Sequence, residues 1–249
     1  VTMNITVHHS GSSGNLYQVD NLLIEAGVPI KQIKKDLDYK LSGIAGCFIS
    51  HSHGDHACAA KDIMKAGIDC YCSQDTANEI GLSGHRLHII KHGQQIKIGA
   101  WTVKAFNLVH DAPCLGFLLA IGKDRILYAN DTSYIPYHFN RLTHIMLGVN
   151  YDTETLVDNI TCGYVNPEVG KRMLRNHMSL DTAKEFFRVN DMSQVKEIYL
   201  LHLSDKNSDE GYFKKTVEEI TGRPVYSTRL RKIGEKKNGN TLLGRNYPA

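Results

Sequence analysis

The stretch Ser50-His51-Ser52-His53-Gly54-Asp55-His56 follows the apolar run Ile44-Ala45-Gly46-Cys47-Phe48-Ile49 without a break. It sets three histidines and an aspartate where a strand gives way to a loop, and those side chains are borderline-soft metal ligands. His51 and His53 are two apart, so in an extended loop both imidazoles can turn to one ion, while Asp55 and His56 can reach a second. A pair of ions polarises a scissile bond and holds a hydroxide nucleophile between them. The spacing therefore points to a two-metal hydrolase. A histidine-rich surface loop would explain a lone His-x-His, but not the full His-x-His-x-Asp-His pattern behind a strand.

Around this cluster lies a chain of 249 residues, 42% hydrophobic and 22% charged, enough for a globular protein with a sizeable core. No composition break divides it, so one domain is expected over residues 1–228, followed by a basic tail over 229–249. The opening Val-Thr-Met-Asn-Ile-Thr-Val lacks the basic segment and apolar core of a signal peptide, and no run has the length of a membrane span. A cytoplasmic protein without a membrane partner is the expectation. The cysteines Cys47, Cys58, Cys70, Cys72, Cys114 and Cys162 are scattered and read as buried thiols rather than disulfides. Net charge is only +3, yet Arg223, Arg229, Arg231, Lys232, Lys236, Lys237 and Arg245 face the single acid Glu235 at the C-terminal end. Such a segment could follow a phosphate backbone or be a solvated end.

Hydrophobic periodicity predicts strands over Met3–Val7, Leu16–Val19, Leu22–Glu25, Ile44–Ile49, Ile68–Cys72, Arg86–Ile90, Gln95–Ile98 and Trp101–Asn107. Helices are expected over Pro29–Leu37, Ala57–Ala66 and Gln74–Ile80. A hairpin of Leu115–Ile121 and Arg125–Ala129 follows, then strands His144–Val149 and Glu197–Leu201 and helices near Glu154–Asn159, Pro167–Arg175, Leu180–Phe187 and Asp209–Ile220. Strands grouped first, then strands mixed with more helices, imply an α/β fold of two packed sheets with helices outside.

A two-metal site needs more donors than one loop supplies. His110 ends the Trp101 strand, Asp131 ends the hairpin, and His202 ends Ile198-Tyr199-Leu200-Leu201; each is a ligand type at a strand end, where one sheet edge can bring them together. The order and placement of these residues resemble the metallo-β-lactamase superfamily, whose fold is an αββα four-layer sandwich. The resemblance to its RNase Z-like phosphodiesterase branch gives one metal to His51, His53, His110 and Asp131, and the other to Asp55, His56, Asp131 and His202. Asp131 would bridge them, its negative charge easing the repulsion between two dications. Ser10-Gly11-Ser12-Ser13-Gly14-Asn15, Val109-His110-Asp111-Ala112, Asn150, Asn176-His177-Met178-Ser179 and His202-Leu203-Ser204-Asp205-Lys206-Asn207 together resemble the WalJ (YycJ) group of nuclease-like members, over about Met3 to Tyr226.

The sequence departs from that pattern at Glu25, where the family usually has an aspartate buttressing the ligand loop by hydrogen bonds. It departs again after Asp131-Thr132, where the usual glycine is missing. In RNase Z relatives a histidine placed like His177 contacts the scissile phosphate; here it would donate to a phosphate oxygen or the leaving oxygen, with free amides after Ser179 facing the same anion. Asp55 and His177 are thus the expected catalytic residues, with Ser12, Ser13, Asn150 and Ser179 as substrate contacts. A turn role for Asn150 stays open. Of the other histidines only His9, beside the serine loop, is a candidate for the site. The expected function is a two-metal phosphodiesterase with zinc or manganese, most simply a DNA or RNA exonuclease on a nucleic-acid or nucleotide substrate. A cyclic-nucleotide phosphodiesterase is the alternative; a thiolesterase-type hydrolase and a non-catalytic DNA-binding relative come behind.

Overall fold

Successive strand residues divide cleanly between different cores, as the period of two in a strand requires. In the run 126–129, Ile126 and Tyr128 join one apolar cluster while Leu127 and Ala129 join another. The same split separates Met146 from Ile145 and Leu147, and Leu23 from Leu22 and Ile24. A sheet that is apolar on both faces must be covered on both.

The computed structural model describes residues 3–227. Its first sheet runs β1 (Ile5–His9), β2 (Leu16–Val19), β3 (Leu22–Ile24), β4 (Gly46–Phe48), β5 (Cys70–Cys72) and β6 (Leu87–Ile89), neighbours in chain order, antiparallel up to β3 and parallel beyond. Helices α1 (Ile30–Asp36), α2 (Gly54–Ala57), α3 (Ala60–Lys65) and α4 (Gln74–Glu79) belong to this half. The second half holds β7 (Gln95–Ile98), β8 (Trp101–Leu108), β9 (Cys114–Ile121), β10 (Asp124–Ala129) and β11 (His144–Gly148). After these come α5 (Thr153–Thr161), α6 (Pro167–Asn176), α7 (Leu180–Val189), β12 (Glu197–Leu201), α8 (Glu210–Thr221) and β13 (Val225–Ser227). Its strands order as β13-β12-β11-β10-β9-β8-β7.

Phe48, Tyr17, Trp101, Phe117 and Tyr128 fill the space between the sheets. Ile33, Ile63 and Ala77 seal helices onto the first sheet, and Phe186, Phe187, Phe213 and Val217 seal α7 and α8 onto the second. The result is the expected α/β sandwich of four layers, helix, sheet, sheet, helix. Strands β8 and β10 both run antiparallel to β9, and β10, β11 and β12 are mutually parallel. The chain therefore leaves β8, β10, β11 and β12 at one edge, and His110, Asp131, Asn150 and His202 follow there.

Several expectations need correction. The helix expected over Ala57–Ala66 is broken between α2 and α3, because Ala26 N donates to His56 O and Ala26 O accepts from Ala59 N. Tertiary backbone bonds there replace intrahelical ones. Strand β1 reaches His9, whose ring is paired with Asp36 at 2.8 Å, so His9 takes no part in the ligand cluster. Strand β13 was not anticipated. Four cysteines are buried as expected, but Cys58 and Cys162 are exposed; all six are unpaired. The basic tail expected over 229–249 lies outside the described residues. Among the described residues no helix is long and apolar enough to cross a membrane.

Candidate metal centre

Ser50 to His56 leaves β4 at the edge where the second sheet delivers its strand-end residues, and two donor clusters form. His51, His53 and His110 make one; Asp55, His56, Asp131 and His202 make the other, with the donor atoms of each within 4.8 Å of one another. His53 Nδ1 lies 3.0 Å from His51 Nε2 and 3.4 Å from His110 Nε2. Asp131 Oδ2 lies 3.1 Å from His56 Nε2 and 4.0 Å from His51 Nε2, so this carboxylate touches both clusters. His202 Nε2 stands 3.6 Å from Asp55 Oδ2 and 3.7 Å from Asp131 Oδ1. All seven expected ligands are brought together.

The backbone is bent to achieve this. Glu25, Asp131 and His202 have φ of +65°, +46° and +54°, a left-handed conformation that costs a side-chain-bearing residue free energy and is held only where surroundings impose it. His202 N donates to Ser10 Oγ at 2.8 Å, and Asn150 Nδ2 donates to His202 O at 2.7 Å. Glu25, fully buried, accepts from Ser50 N at 3.2 Å and from Tyr128 OH at 2.8 Å, and its Oε1 faces His56 Nδ1 at 3.5 Å. The longer Glu thus still buttresses the ligand loop. Gly27 lets the loops meet: a Cβ there would fall 1.7 Å from Asp55 O.

Several buried donor atoms at the centre are short of hydrogen-bond partners. Asp131 Oδ1 and His202 Nε2 are buried, face each other, and have no hydrogen-bond partner among the described residues, a cost normally avoided. Burial and neighbouring His56 push the His51 imidazole far below its usual range, and burial also lowers His110. Burial opposes charge on His56 and His202 as well, yet Asp131 outweighs it for both, aided by Glu25 at His56 and Asp55 at His202, and both pKa values are raised. In the same way Asp131, despite burial, is held well below the usual carboxylate range by His202 and His56. A bound metal would supply positive charge beside the same carboxylates. The donors, imidazole and carboxylate, fit divalent ions such as zinc or manganese.

His177, the C-cap of α6, places Nδ1 3.7 Å from Asp131 Oδ1, and its ring stacks on His202 with centroids 5.3 Å apart. It belongs to the centre. The other expected contacts are placed differently. Ser12 and Ser13 are exposed on the turn closed by Gly14 N and Gly11 O, while Ser10 and Asn15 of the same loop bond to the backbone of ligand residues. Asn15 Nδ2 donates to Asp55 O at 3.1 Å and lies 3.1 Å from His56 Nε2. Asn150 is buried behind His202. Ser179 caps α7, accepting from Thr182 N, while Leu180 N donates to Tyr151 O. The amides expected to be free for an anion after Ser179 are therefore largely engaged. Asp111, part of the Val109–Ala112 motif but with no role expected of it, has its Oδ1 3.1 Å from His110 Nε2 and 3.7 Å from His53 Nε2, and its Oδ2 accepts from Asn176 Nδ2 at 2.7 Å and Arg172 Nε at 3.1 Å. Only its position next to His110 hinted at this.

Two sheets packed face to face, helices outside and a histidine-carboxylate centre at their shared edge define a metallo-β-lactamase type of fold. Residues 20–202 match the model of the Beta-lactamase superfamily domain, and the chain belongs to that family. The metallo-beta-lactamase fold protein YhfI from Bacillus subtilis is similar in structure, with a TM-score of 0.69, 17% identity, and coverage of 91% of this chain and 96% of that one. A diphosphatase from the PhnP family aligns with a TM-score of 0.61 at 14% identity over 90% of this chain and 95% of its own. The short form of human tRNase Z aligns with a TM-score of 0.57 at 14% identity, covering 81% of this chain and 93% of that one. No curated protein matched in sequence.

Proposed function

We propose that the chain is a phosphodiesterase that cleaves nucleic acid with two divalent ions, zinc or manganese, and that it belongs to the WalJ-like, RNase Z-like branch of its family. The observation that carries this reading is His177, an imidazole that no ligand cluster needs, held 3.7 Å from the shared carboxylate of Asp131. A thioester or lactam substrate gives such a group little to do. A phosphodiester offers it a non-bridging oxygen or a leaving oxygen. A diphosphatase and a tRNase Z among the structural neighbours are consistent with phosphoryl substrates.

Divalent ions held by the seven ligands would neutralise phosphoryl charge and activate water. The chain's own groups do the rest. Despite burial, Asp55 is kept ionised by the His202 imidazole 3.6 Å away and by His56, so it can orient the attacking water and accept its proton. Burial lowers His177 to about 4 against the pull of Asp131, so at neutral pH it is a neutral N–H donor rather than a standing acid. Asn15 and Glu25 fix the loop carrying Asp55 and His56. A reducing, cytoplasmic setting is part of this proposal, supported by six unpaired cysteines.

The test is degradation of end-labelled DNA and RNA by protein supplied with manganese or zinc, with Asp55→Ala alongside. Metal-dependent cleavage lost in the variant supports the reading. Retained cleavage in Asp55→Ala sinks the mechanism, and hydrolysis of cyclic nucleotides alone transfers the proposal to that alternative substrate.

A further inference from the structure

We infer that Arg172 holds the phosphate next to the scissile one, which makes a nucleic-acid strand, rather than a cyclic mononucleotide, the substrate class; this rests on the phosphodiesterase reading above. Arg172 lies on α6, the helix that ends in His177. Its Nε is fixed on Asp111 Oδ2 at 3.1 Å, and the other oxygen of the same carboxylate lies 3.1 Å from His110 Nε2. The guanidinium is thus one carboxylate removed from the ligand nitrogens. Its side chain is 64% exposed and Asp111 is 36% exposed, so this side of the centre is open to solvent.

The guanidinium is held by one edge only. Among the described residues the two Nη groups have no partner, and Arg is planar, permanently charged and matched to phosphate by paired donors. Anchoring through Nε leaves the outward fork oriented, which reduces the ordering cost of binding an anion. Neighbouring cations differ. Lys171 is spent on Glu168 at 2.7 Å, whereas Arg175, one turn on and exposed, has no partner among the described residues and extends the same positive rim.

A phosphorus atom over this centre would already be served by His177 and by whatever ions the seven ligands would hold. A second phosphate, displaced along the strand, is what an oriented guanidinium at the rim can add. A cyclic mononucleotide has no second phosphate. Asn176 also donates to Asp111 Oδ2, so Asp111 keeps a holder when Arg172 is replaced.

The experiment compares trinucleotides whose flanking linkage is either phosphate or neutral methylphosphonate, cleaved by metal-loaded wild-type protein, Arg172→Ala and Arg172→Lys. For the all-phosphate substrate, Arg172→Ala should lower kcat/KM by about 10-fold or more, the scale of one hydrogen-bonded charge contact. Neutralising the flanking linkage should cost wild type a similar factor, and the two changes together should cost no more than either alone. Lys should restore only part. Binding of a single-stranded oligonucleotide in EDTA, followed against salt, should show a slope smaller by about one in Arg172→Ala. Losses that multiply, or an unchanged slope, overturn the inference while leaving the phosphodiesterase reading intact. Failure of wild-type protein to cleave any linear diester, bis(p-nitrophenyl) phosphate included, overturns both.

Discussion

Replacing Glu25 by alanine should unfold more than it disarms. Its carboxylate is fully buried and is the partner of two buried donors, Ser50 N and Tyr128 OH, besides facing His56. Each donor left unsatisfied costs about 1–3 kcal/mol, so Glu25→Ala should lose about 2–6 kcal/mol. Glu25→Gln keeps the shape but offers one acceptor oxygen and an NH2, so one donor meets another and the expected loss is about 1–3 kcal/mol. Glu25→Asp suits the φ of +65° better, but its shorter arm reaches only one donor and it should fall between. Urea unfolding in EDTA removes any metal contribution, and the single tryptophan, Trp101, buried between the sheets, reports it. The variants should also bind zinc about 10- to 100-fold more weakly, since the group behind a ligand histidine is lost. A Glu25→Ala protein within about 0.5 kcal/mol of wild type would refute the argument, because surface changes alone reach that size.

His177→Ala should lower kcat on a phosphodiester by about 100-fold, the scale of a positioned acid-base or donor group, with metal content unchanged; an unaltered kcat would remove His177 from the chemistry. In metal-free protein the His177 resonance should titrate near 4. Because that value lies below the unfolded one, His177 contributes stability above about pH 6.5 that is lost as pH falls towards 4. An NMR midpoint above 6.5 contradicts the burial argument. Gly27→Ala should cost at least the 1–3 kcal/mol typical of overpacking and weaken metal binding, read by denaturation and metal analysis, since the new Cβ meets the backbone of Asp55. Chelation should lower the melting temperature, each ion at about 100 times its Kd being worth about 2.7 kcal/mol.

The ligands were legible because they follow strand ends directly or, for Asp55 and His56, lie on the short helix α2 just beyond one, and strand ends are written locally in hydrophobic alternation. The same alternation exposed the layers, since residues 126–129 and 145–147 are apolar on both faces. What escaped was set by contacts far apart in sequence. The break between α2 and α3 is imposed by Ala26, and the tie from Arg172 to Asp111 spans 61 residues. In the serine loop the exposed hydroxyls of Ser12 and Ser13 drew notice, whereas the buried Asn15 makes the contacts with Asp55 and His56. Composition alone does not say which polar residue of a turn points inward. Strand β13 is only three residues long, and Val225-Tyr226-Ser227 lacks the longer apolar run that marked the other three-residue strands.

The two sheets divide the ligands unequally along the chain, His51 to His56 from the first and His110, Asp131 and His202 from the second. During synthesis the first four emerge early, the bridging carboxylate much later, and His202 only after most of the second sheet has been made. At roughly 5–20 residues per second, about 8–30 s separate the first ligand from the last. A growing chain therefore exposes half a chelating site to the cell before it can close it. Retention of metal by the finished molecule would report that both sheets have been made and docked, since neither sheet alone supplies all seven donors.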